Sequence, residues 1–382
     1  MKALILAAGK GERFYPFNTY RPKPMFHICN RPLLEWTIER VVQAGITNIG
    51  IVIGHHGGRV RNNFGSGSRF GCQLTYIEQP EPKGTAHAVG LATKYLQTDD
   101  ALVIYGDTFF RATAIPQLLE TFSLQKGAGV AGVVQVSNLE SHTRAHIEAN
   151  HILASYTDRP RSGSGPALAG LYIFQNKHLS ALANTNHFVQ RAPFGISPAE
   201  GQEICDVIPY LYREQAPLTA VELSQPYFNM DMPWHPKDVT QIALREMAND
   251  LTESVIAKTA TIDPQAQITG AIWVDEGVTI GRNVTIEGPV WIGKDTQIFE
   301  GSQIRANTMI GERCKIGPFA KISGTVDTNC HITYLGEFSG IMLEEGRVTH
   351  QIQLSGIFGE RAEIGAGTQV GTLRFDDAET EV

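Results

Sequence analysis

The apolar residues of the chain follow two different periods, one before and one after about residue 250. In the first part, short apolar runs at 3–6, 49–53 and 101–105 are bounded by turn residues, which is typical of strands buried on both faces of a parallel sheet. Segments with helical spacing, at 32–44 and 86–95, lie between them. This alternation predicts a doubly wound α/β domain over residues 1–250, with its ligand crevice at the carboxyl ends of the strands.

After about residue 250, an aliphatic residue recurs at every sixth position. A six-residue period fits neither a helix nor simple strand alternation, and it predicts a β-solenoid in which each flat face takes one hexad. The repeat is that of left-handed parallel β-helices, so we predict such a domain over residues 251–382. The repeated positions hold only Ile or Val: Ile262, Ile268, Val274, Ile280, Ile286, Ile292, Ile298, Ile304, Ile310, Ile316 and Ile322.

The hexad spacing is interrupted after Ile322. Residues 324–346 do not follow it, which predicts a loop or an inserted turn there. The spacing returns at Ile352, Phe358, Ile364 and Val370. A β-solenoid alone leaves three roles open: acyl transfer, oligomerisation or a scaffold.

Composition and charge narrow the classes of partner. The 382 residues carry a net charge of −7, which argues against nucleic acid or an anionic membrane as a partner. The five cysteines are scattered without a C-x-x-C pair, and no apolar run is long enough for a leader or a membrane span. We therefore expect a cytoplasmic protein whose phosphate sites are locally basic.

A turn of small residues follows the first apolar run. It reads Ala7-Ala8-Gly9-Lys10-Gly11, with Arg13 and Lys23 close behind. Glycine lets backbone N–H groups approach a phosphate, and the two side chains add positive charge. The turn lacks the Gly-Lys-[Ser/Thr] of a P-loop and the third glycine of a dinucleotide fingerprint.

With Leu6 and Pro22 added, this segment resembles the L-A-A-G-x-G-x-R…P-K signature of the sugar-1-phosphate nucleotidylyltransferase family. That family includes glucose-1-phosphate thymidylyltransferases and N-acetylglucosamine-1-phosphate uridylyltransferases. The resemblance implies an enzyme that joins an NTP and a sugar-1-phosphate, releases pyrophosphate and depends on Mg²⁺. It implies catalytic roles for Arg13 and Lys23, and nucleotide contacts from Leu6, Ala7, Ala8, Gly9 and Gly11.

Two further segments resemble the metal-binding motifs of the family. Asp107 follows the run at 101–105 in a G-D-x-x-F pattern, although an aspartate there could instead cap the next helix. The late segment Phe228-Asn229-Met230-Asp231-Met232-Pro233-Trp234 aligns Asn229 with the second ligand, and Asp231 is the alternative. Both residue types offer the oxygen ligands that Mg²⁺ takes.

The base and the sugar are assigned by weaker resemblances. Gln79, Gly84 and Thr85 match the Q-x-x-x-x-G-T/L-A pattern, which implies base contacts and favours UTP or dTTP. A Pro-rich loop followed by a helix beginning at Thr85 is compatible with the same residues. The resemblance places sugar-phosphate contacts at Arg159, Gly170 and Glu203, and for Glu203 a solvated surface charge is the alternative.

The repeat region also resembles the acetyltransferase half of bifunctional relatives. Val348-Thr349-His350 is similar to their V-P-H motif, but Thr372 stands where they carry an Asn. We therefore expect the solenoid to drive homo-oligomerisation, with a trimer favoured. Acetyl-CoA would be a cofactor only if the enzyme were bifunctional, and a non-enzymatic nucleotide-sugar sensor or assembly subunit is the remaining alternative.

Overall fold

The computed structural model describes residues 1–183 and 202–370. The chain divides into two compact units: the first is Met1–Phe26 with Pro32–Pro233, and the second is His27–Arg31 with Trp234–Val382. The helix His235–Asp250 therefore belongs to the second unit, whereas the sequence places the change of domain near residue 250. Thr372 lies outside the described residues.

The first part of the chain alternates strands and helices, as the apolar runs predict. Its strands are β1 Lys2–Ala7, β2 His27–Ile28, β3 Arg31–Pro32, β4 Asn48–Ile53, β5 Gln73–Glu78, β6 Ala101–Tyr105, β7 Thr108–Phe110, β8 Gly129–Val136, β9 Thr143–Ile147, β10 Ile152–Asp158, β11 Gly165–Phe174, β12 Leu218–Glu222 and β13 Tyr227–Asn229. The helices described are α1 Leu33–Gln43, α2 Gly57–Phe64, α3 Thr85–Leu91, α4 Thr93–Leu96, α5 Ala114–Leu124, α6 Asn176–Ala183, α7 Ile208–Arg213 and α8 His235–Asp250. The segment predicted as one helix at 86–95 is thus two short helices.

One nine-stranded sheet forms the centre of the first unit, in the order β5-β4-β1-β6-β11-β8-β12-β10-β9. Its first four strands are parallel, as predicted. The rest of the sheet is mixed, because β11 runs antiparallel to both β6 and β8. The parallel half brings the carboxyl ends of β5, β4, β1 and β6 to one edge.

Both faces of this sheet are buried, which is why its strands are continuous apolar runs rather than alternating ones. Neighbouring residues of β1 enter different cores: Ile5 packs with helices α1, α2 and α5, and Leu4 packs with α3, α6 and α7. The three residues of β1 from Ala3 to Ile5 are fully buried. The unit is therefore a doubly wound α/β fold.

The second unit is a left-handed parallel β-helix. Its strands are β14 Val255–Ile256, β15 Thr261–Ile262, β16 Gln267–Thr269, β17 Ile272–Val274, β18 Thr279–Ile280, β19 Thr285–Glu287, β20 Val290–Ile292, β21 Gln297–Ile298, β22 Gln303–Ile304, β23 Thr308–Ile310, β24 Lys315–Ile316, β25 Lys321–Val326, β26 His331–Ile332, β27 Gly336–Met342, β28 Arg347–Val348, β29 Ile352–Phe358 and β30 Glu363–Ile364. Parallel pairing stacks Ile262 on Ile280, and Ile280 on Ile298. From Val274 to Ile322 the hexad residues are almost completely buried and form one aliphatic core.

The loop predicted at residues 324–346 is wrong. The coils continue through it but shorten from eighteen residues to sixteen, so that Ile332 stacks on Ile316 and Phe338 on Ile322. Strand β25 runs straight through a corner at Gly324, where φ is +96° and a Cβ would lie 2.2 Å from the carbonyl oxygen of Gly340. Only glycine fits at that corner. Each of these coils is therefore completed with two residues fewer.

No helix in the described ranges is long and apolar enough to cross a membrane.

Candidate active site

A cavity of about 650 Å³ opens at the edge where the parallel strands of the first unit end. Its walls come from the ends of β1 and β6 and from the segments that follow β5, β6 and β13. Every site residue predicted from the sequence lines it: Leu6, Ala7, Ala8, Gly9, Gly11, Arg13, Lys23, Gln79, Gly84, Thr85, Asp107, Arg159, Gly170, Glu203, Asn229 and Asp231. The fold thus brings into one place residues that are far apart in the sequence.

The small-residue turn after β1 forms the basic wall of the cavity. A Cβ on Gly9 would meet nothing within 4 Å, so this backbone borders open space. Gly11 has a left-handed φ of +62° and leads into the 3₁₀ turn Glu12–Phe14, which carries Arg13. The chain then returns through a second 3₁₀ turn, Lys23–Met25, which places Lys23 against Gly11.

Two cations meet two carboxylates at the centre of the cavity. The Lys23 Nζ lies 2.5 Å from Asp107 Oδ2 and 3.1 Å from Asp231 Oδ1. An Arg13 guanidinium nitrogen lies 3.2 Å from the same Asp231 oxygen. Asn229 donates its amide N–H to the other Asp231 oxygen at 3.1 Å. We call Arg13, Lys23, Asp107, Asn229 and Asp231 the ionic cluster.

Burial makes the charges of the ionic cluster depend on one another. Only 10% of the Lys23 side chain and 8% of the Asp231 side chain are exposed. Burial by itself lowers the pKa of Lys23, but the carboxylates of Asp107 and Asp231 outweigh it and the pKa is raised. Burial likewise raises the pKa of Asp231, yet Lys23 and Arg13 bring it below its usual value. Both side chains are therefore charged at neutral pH.

A short antiparallel pair explains how Asp107 meets the late segment. Strand β7 follows Asp107 directly and pairs with β13, so that Thr108 lies opposite Asn229. The Met230 N–H then donates to the Asp107 carbonyl oxygen at 3.0 Å. Asp107 does not precede a helix, because β7 comes next, and the capping alternative does not apply.

The ionic cluster has the donors that a hard divalent cation needs. The carboxylates of Asp107 and Asp231 and the amide of Asn229 offer only oxygen ligands, which Mg²⁺ prefers. A positive group already lies between the two carboxylates, since both contact one Lys23 ammonium. The residues present therefore fit Mg²⁺.

The loop after β5 is connected to the chain near Glu203. Gln79 is 5% exposed, and its amide nitrogen donates to the Gly84 carbonyl oxygen at 3.1 Å and lies 2.9 Å from His87 Nδ1. Gly84 has a φ of +94°, and a Cβ there would lie 2.3 Å from the Gln202 carbonyl oxygen. Glycine at 84 is thus required by this close approach of two backbone segments.

The predicted sugar side is built around Glu203. A Glu203 oxygen accepts the Thr85 hydroxyl at 2.5 Å and the Thr85 backbone N–H at 3.3 Å, so this carboxylate is not a solvated surface charge. Gly170 has a φ of +66°, and its missing side chain makes room for the ring of Tyr105. Arg159 lines the cavity, and its charge contributes to the low pKa of Asp231.

Some wall residues were not predicted from the sequence. His142 lines the cavity, and its pKa is lowered, mainly by burial. Tyr227 also lines it, and burial, followed by the charges of Asp107 and Asp231, raises its pKa. Tyr227 lies two residues before Asn229 and could have been found from that motif, whereas no pattern around His142 marks it.

Comparisons with known proteins agree with this geometry. Residues 2–229 match the family model for nucleotidyl transferase, and residues 289–324 match the bacterial transferase hexapeptide model with six repeats. A glucose-1-phosphate thymidylyltransferase of Streptomyces antibioticus is 29% identical over 362 residues, covering 93% of this chain and 91% of the relative.

Two further similarities extend the comparison. A bifunctional sugar-1-phosphate nucleotidylyltransferase/acetyltransferase of Sulfurisphaera tokodaii is 26% identical over 388 residues, covering 100% of this chain and 85% of the relative. A crystal structure of a Bacillus anthracis protein, assigned as a glucose-1-phosphate thymidylyltransferase and solved with sucrose, has a TM-score of 0.56 and 28% identity; it covers 64% of this chain and 95% of that protein. From its matched residues and its fold, the chain belongs to the nucleotidyl transferase family and carries a hexapeptide-repeat β-helix after its transferase domain.

Proposed function

We propose that this enzyme is a Mg²⁺-dependent sugar-1-phosphate nucleotidylyltransferase. The observation that carries the proposal is the ionic cluster, in which Lys23 and Arg13 meet Asp107 and Asp231 inside a cavity bordered by a glycine turn. A reaction between two phosphates needs such a place, because each anion repels the other until cations neutralise both.

The residues of this chain bind and align the two substrates. An oxygen of the sugar phosphate attacks the α-phosphorus of the NTP and pyrophosphate leaves, so no protein nucleophile is required. Arg13 and the backbone N–H groups of the glycine turn bind the triphosphate, and Lys23 neutralises phosphate at the reacting centre. Asp107, with Asp231 or Asn229, would hold Mg²⁺, which would withdraw negative charge from the phosphates when bound.

The carboxylates and Lys23 exchange partners when substrates bind. The Lys23 ammonium contacts the carboxylates of both Asp107 and Asp231. If Asp107 and Asp231 held Mg²⁺, the ion would supply their compensating positive charge, and the Lys23 ammonium would be available to a phosphate. The sequence favours Asn229 beside Asp107, with Asp231 as the alternative; the contact of Lys23 with both carboxylates leads us to propose Asp231 first and Asn229 second.

We assign the base to a pyrimidine, UTP or dTTP, and the sugar to the glucose-1-phosphate class. The amide nitrogen of Gln79 is engaged within its loop, so its carbonyl oxygen is the atom that would accept a base N–H. The similarity to glucose-1-phosphate thymidylyltransferases supports the same choice. Glu203 and Arg159 would contact the sugar and its phosphate.

A pyrophosphate-release screen tests the proposal. The purified full chain is assayed with five NTPs against a panel of sugar-1-phosphates, with Mg²⁺ and with a chelator in its place. We expect release only when NTP, sugar-1-phosphate and metal are all present, and fastest with UTP or dTTP. A preference for ATP or GTP contradicts the base assignment, and release without any sugar-1-phosphate contradicts the reaction.

A bifunctional enzyme is the second candidate. It is favoured by the similarity to the Sulfurisphaera tokodaii bifunctional protein, which extends over the whole chain. In that case the β-helix would also acetylate an amino-sugar phosphate from acetyl-CoA, with His350 as its base. The test is thiol release from acetyl-CoA with glucosamine-1-phosphate or galactosamine-1-phosphate: release that disappears in His350→Ala supports the second activity.

The assembly state is the remaining part of the proposal. We infer a cytoplasmic homo-oligomer, with a trimer favoured, because the flat faces and coil ends of a β-helix pack readily against copies of themselves. Light scattering of the full chain gives the mass directly. A monomer at micromolar concentration contradicts the proposal.

A further inference from the structure

A second cluster of metal-binding side chains lies in the second unit, and the nucleotidyl transfer chemistry does not use it. Its members are His27, Asp327 and Glu344, whose ligand atoms all lie within 4.8 Å of one another. It is the one such group of three His, Cys, Asp or Glu side chains among the described residues. We call it the histidine–carboxylate cluster.

The fold of the second unit brings these side chains together from distant parts of the sequence. Residues His27–Arg31 belong to this unit although the chain around them belongs to the first. Asn30 anchors this segment, because its amide N–H donates to the Val326 carbonyl oxygen at 3.0 Å. Val326 ends strand β25, so Asp327 stands at the next corner of the solenoid, beside the segment.

Asp327 is not part of the repeat, whereas Glu344 occupies a position that also carries Glu312 and Glu360 in other coils. The coil before Asp327 has Gly311 at the corresponding corner, and the coil after it has Leu343, as their backbone pairing shows. Asp327 is nevertheless almost fully buried, with 2% of its side chain exposed. A buried carboxylate needs a compensating positive charge or several hydrogen-bond donors. The coils themselves do not need a carboxylate at this corner.

The contacts of Asp327 compensate the negative charge of its buried carboxylate only in part. One Asp327 oxygen accepts the Thr328 backbone N–H at 2.7 Å. The other lies 2.5 Å from His27 Nδ1, and that same nitrogen lies 4.0 Å from a Glu344 oxygen. One ring nitrogen therefore faces two carboxylates, and a single N–H cannot donate well to both.

The separations suit a small divalent cation. Tetrahedral ligands at about 2.0–2.2 Å from Zn²⁺ lie roughly 3.4 Å from one another. This value falls between the distances from His27 Nδ1 to the Asp327 oxygen, 2.5 Å, and to the Glu344 oxygen, 4.0 Å. Glu344 is 40% exposed, so this side of the cluster is open to solvent and to an entering ion. Two carboxylates would also neutralise the double charge of the ion, with water as the fourth ligand.

We propose that His27, Asp327 and Glu344 form a binding site for a divalent transition-metal ion, with Zn²⁺ as the best fit. The imidazole sets it apart from the oxygen-only ionic cluster of the active site: nitrogen ligands suit Zn²⁺ and Co²⁺, whereas Mg²⁺ prefers oxygen. A bound ion would fasten the segment 27–31 to the coils at 327 and 344, and so stabilise the second unit.

The test is a Zn²⁺ titration of the metal-free full chain in excess Mg²⁺, which occupies the oxygen-only site. Calorimetry and metal analysis after dialysis give the affinity and the number of ions per chain. We expect His27→Gln to lose one equivalent of Zn²⁺, and Glu344→Gln to weaken that equivalent roughly tenfold or more. Glu344→Gln changes a half-exposed side chain, so it tests the site even if His27→Gln folds poorly.

His331→Gln is the matched control. His331 is a histidine of the same solenoid, but its pKa is lowered by burial and then by the nearby charges of Lys315 and Arg347, and such cations repel a metal ion. It should keep the full equivalent of Zn²⁺. The same Zn²⁺ should raise the melting temperature of the wild type and the control, but not that of His27→Gln, because only bound ion stabilises the native state.

The proposal is overturned if the wild type and His27→Gln bind the same number of Zn²⁺ ions with the same affinity. It is also overturned if His331→Gln loses the equivalent instead. Neither readout uses nucleotidyl transfer, so this result is independent of the function proposed for the active site.

Discussion

The ionic cluster of the first unit and the aliphatic stack of the second are both buried, but they are stabilised by different physics. In the stack, Ile304 lies between Ile286 and Ile322 on neighbouring coils, and each contact is neutral and short-ranged. In the ionic cluster, Lys23 and Asp231 are tolerable in the interior only because each compensates the other. A deletion in the stack leaves a cavity, whereas a deletion in the ionic cluster leaves an uncompensated charge.

This difference also explains where chemistry can occur. A stack of Ile and Val has no group that changes its partner, so it can only hold its shape. The ionic cluster instead presents charged groups that are already oriented in a cavity, as electrostatic stabilisation of a reacting phosphate requires.

Asp107→Asn should reduce kcat by about a thousandfold, equivalent to ~4 kcal/mol of transition-state stabilisation. The change keeps the size of the side chain but removes the charge that meets Lys23 and would hold the metal ion. Steady-state pyrophosphate release with saturating UTP and Mg²⁺ measures it. The matched control is Asp99→Asn, since Asp99 pairs only at the surface with Lys2 and the N-terminus.

Near-normal turnover in Asp107→Asn would remove this residue from the mechanism. Two companion variants decide between the late ligands. If Asp231 binds the metal, Asp231→Ala should lose far more activity than Asn229→Ala and need more Mg²⁺ for half-maximal rate. The reverse order would restore Asn229 to the ligand position.

Lys23→Ala should lower kcat/KM by roughly a hundredfold or more, about 3 kcal/mol, the scale seen when one preorganised donor is lost. The variant also leaves Asp107 and Asp231 without the ammonium between them. Arg13→Ala should have an effect of similar size. Lys2→Ala, at an ion pair with Asp99 outside the cavity, is the control, and a loss below threefold in Lys23→Ala contradicts the assignment.

Ile304→Ala should lower the free energy of unfolding of the solenoid by ~3 kcal/mol, and Ile304→Val by about 1 kcal/mol. The side chain is 1% exposed, so the lost methyl groups leave a cavity between two coils. Denaturant unfolding followed by tryptophan fluorescence measures the change. Gln303→Ala on the same strand removes an exposed side chain, and its free energy of unfolding should stay within about 0.5 kcal/mol of the wild type. A loss in Gln303→Ala equal to that in Ile304→Ala would show that the stack is not what stabilises the coils.

The same contrast explains how much of the fold the sequence could reveal. Each hexad carries its own buried residue, so the stack from Ile262 to Ile322 can be identified without knowing the fold. After Ile322 the six-residue spacing no longer marks the buried positions, because the coils shorten to sixteen residues while the stacking continues through Ile332 and Val348. A fixed period of six residues cannot follow the coil once strand β25 runs through Gly324 and the coil loses two residues.

The active site could be predicted only through its resemblance to known motifs. The glycine turn is local, and its left-handed Gly11 follows from residue type. The meeting of Asp107 with Asp231 instead depends on the pairing of β7 with β13, which no spacing in the chain indicates. The ion pairs of Lys23 are equally non-local and became visible only in the structure.

Gln79→Ala should narrow the preference for UTP over ATP by about tenfold, or ~1.4 kcal/mol, as expected for one lost hydrogen bond to the base. The effect is smaller than those in the ionic cluster because a neutral amide is replaced. Initial rates with both nucleotides give the ratio. Gln73→Ala, at the exposed start of β5, should leave it unchanged. An unaltered ratio in Gln79→Ala would move base recognition to other wall residues.

The smallest effect concerns pH. Near neutral pH, a change of pH should hardly alter the stability that the ionic cluster contributes. The pKa of Asp231 lies below its usual 3.8, so its contribution is complete above that value and is lost as the pH falls through the lowered pKa. The pKa of Lys23 lies above its usual 10.5, so its contribution is complete below that value and is lost as the pH rises through the raised pKa. The difference in melting temperature between the wild type and Lys23→Ala should therefore be constant from about pH 5 to 9 and change only at the extremes. For Ile304→Ala it should be constant throughout, because that stack carries no charge; a pH-dependent difference there would break the contrast between the two regions.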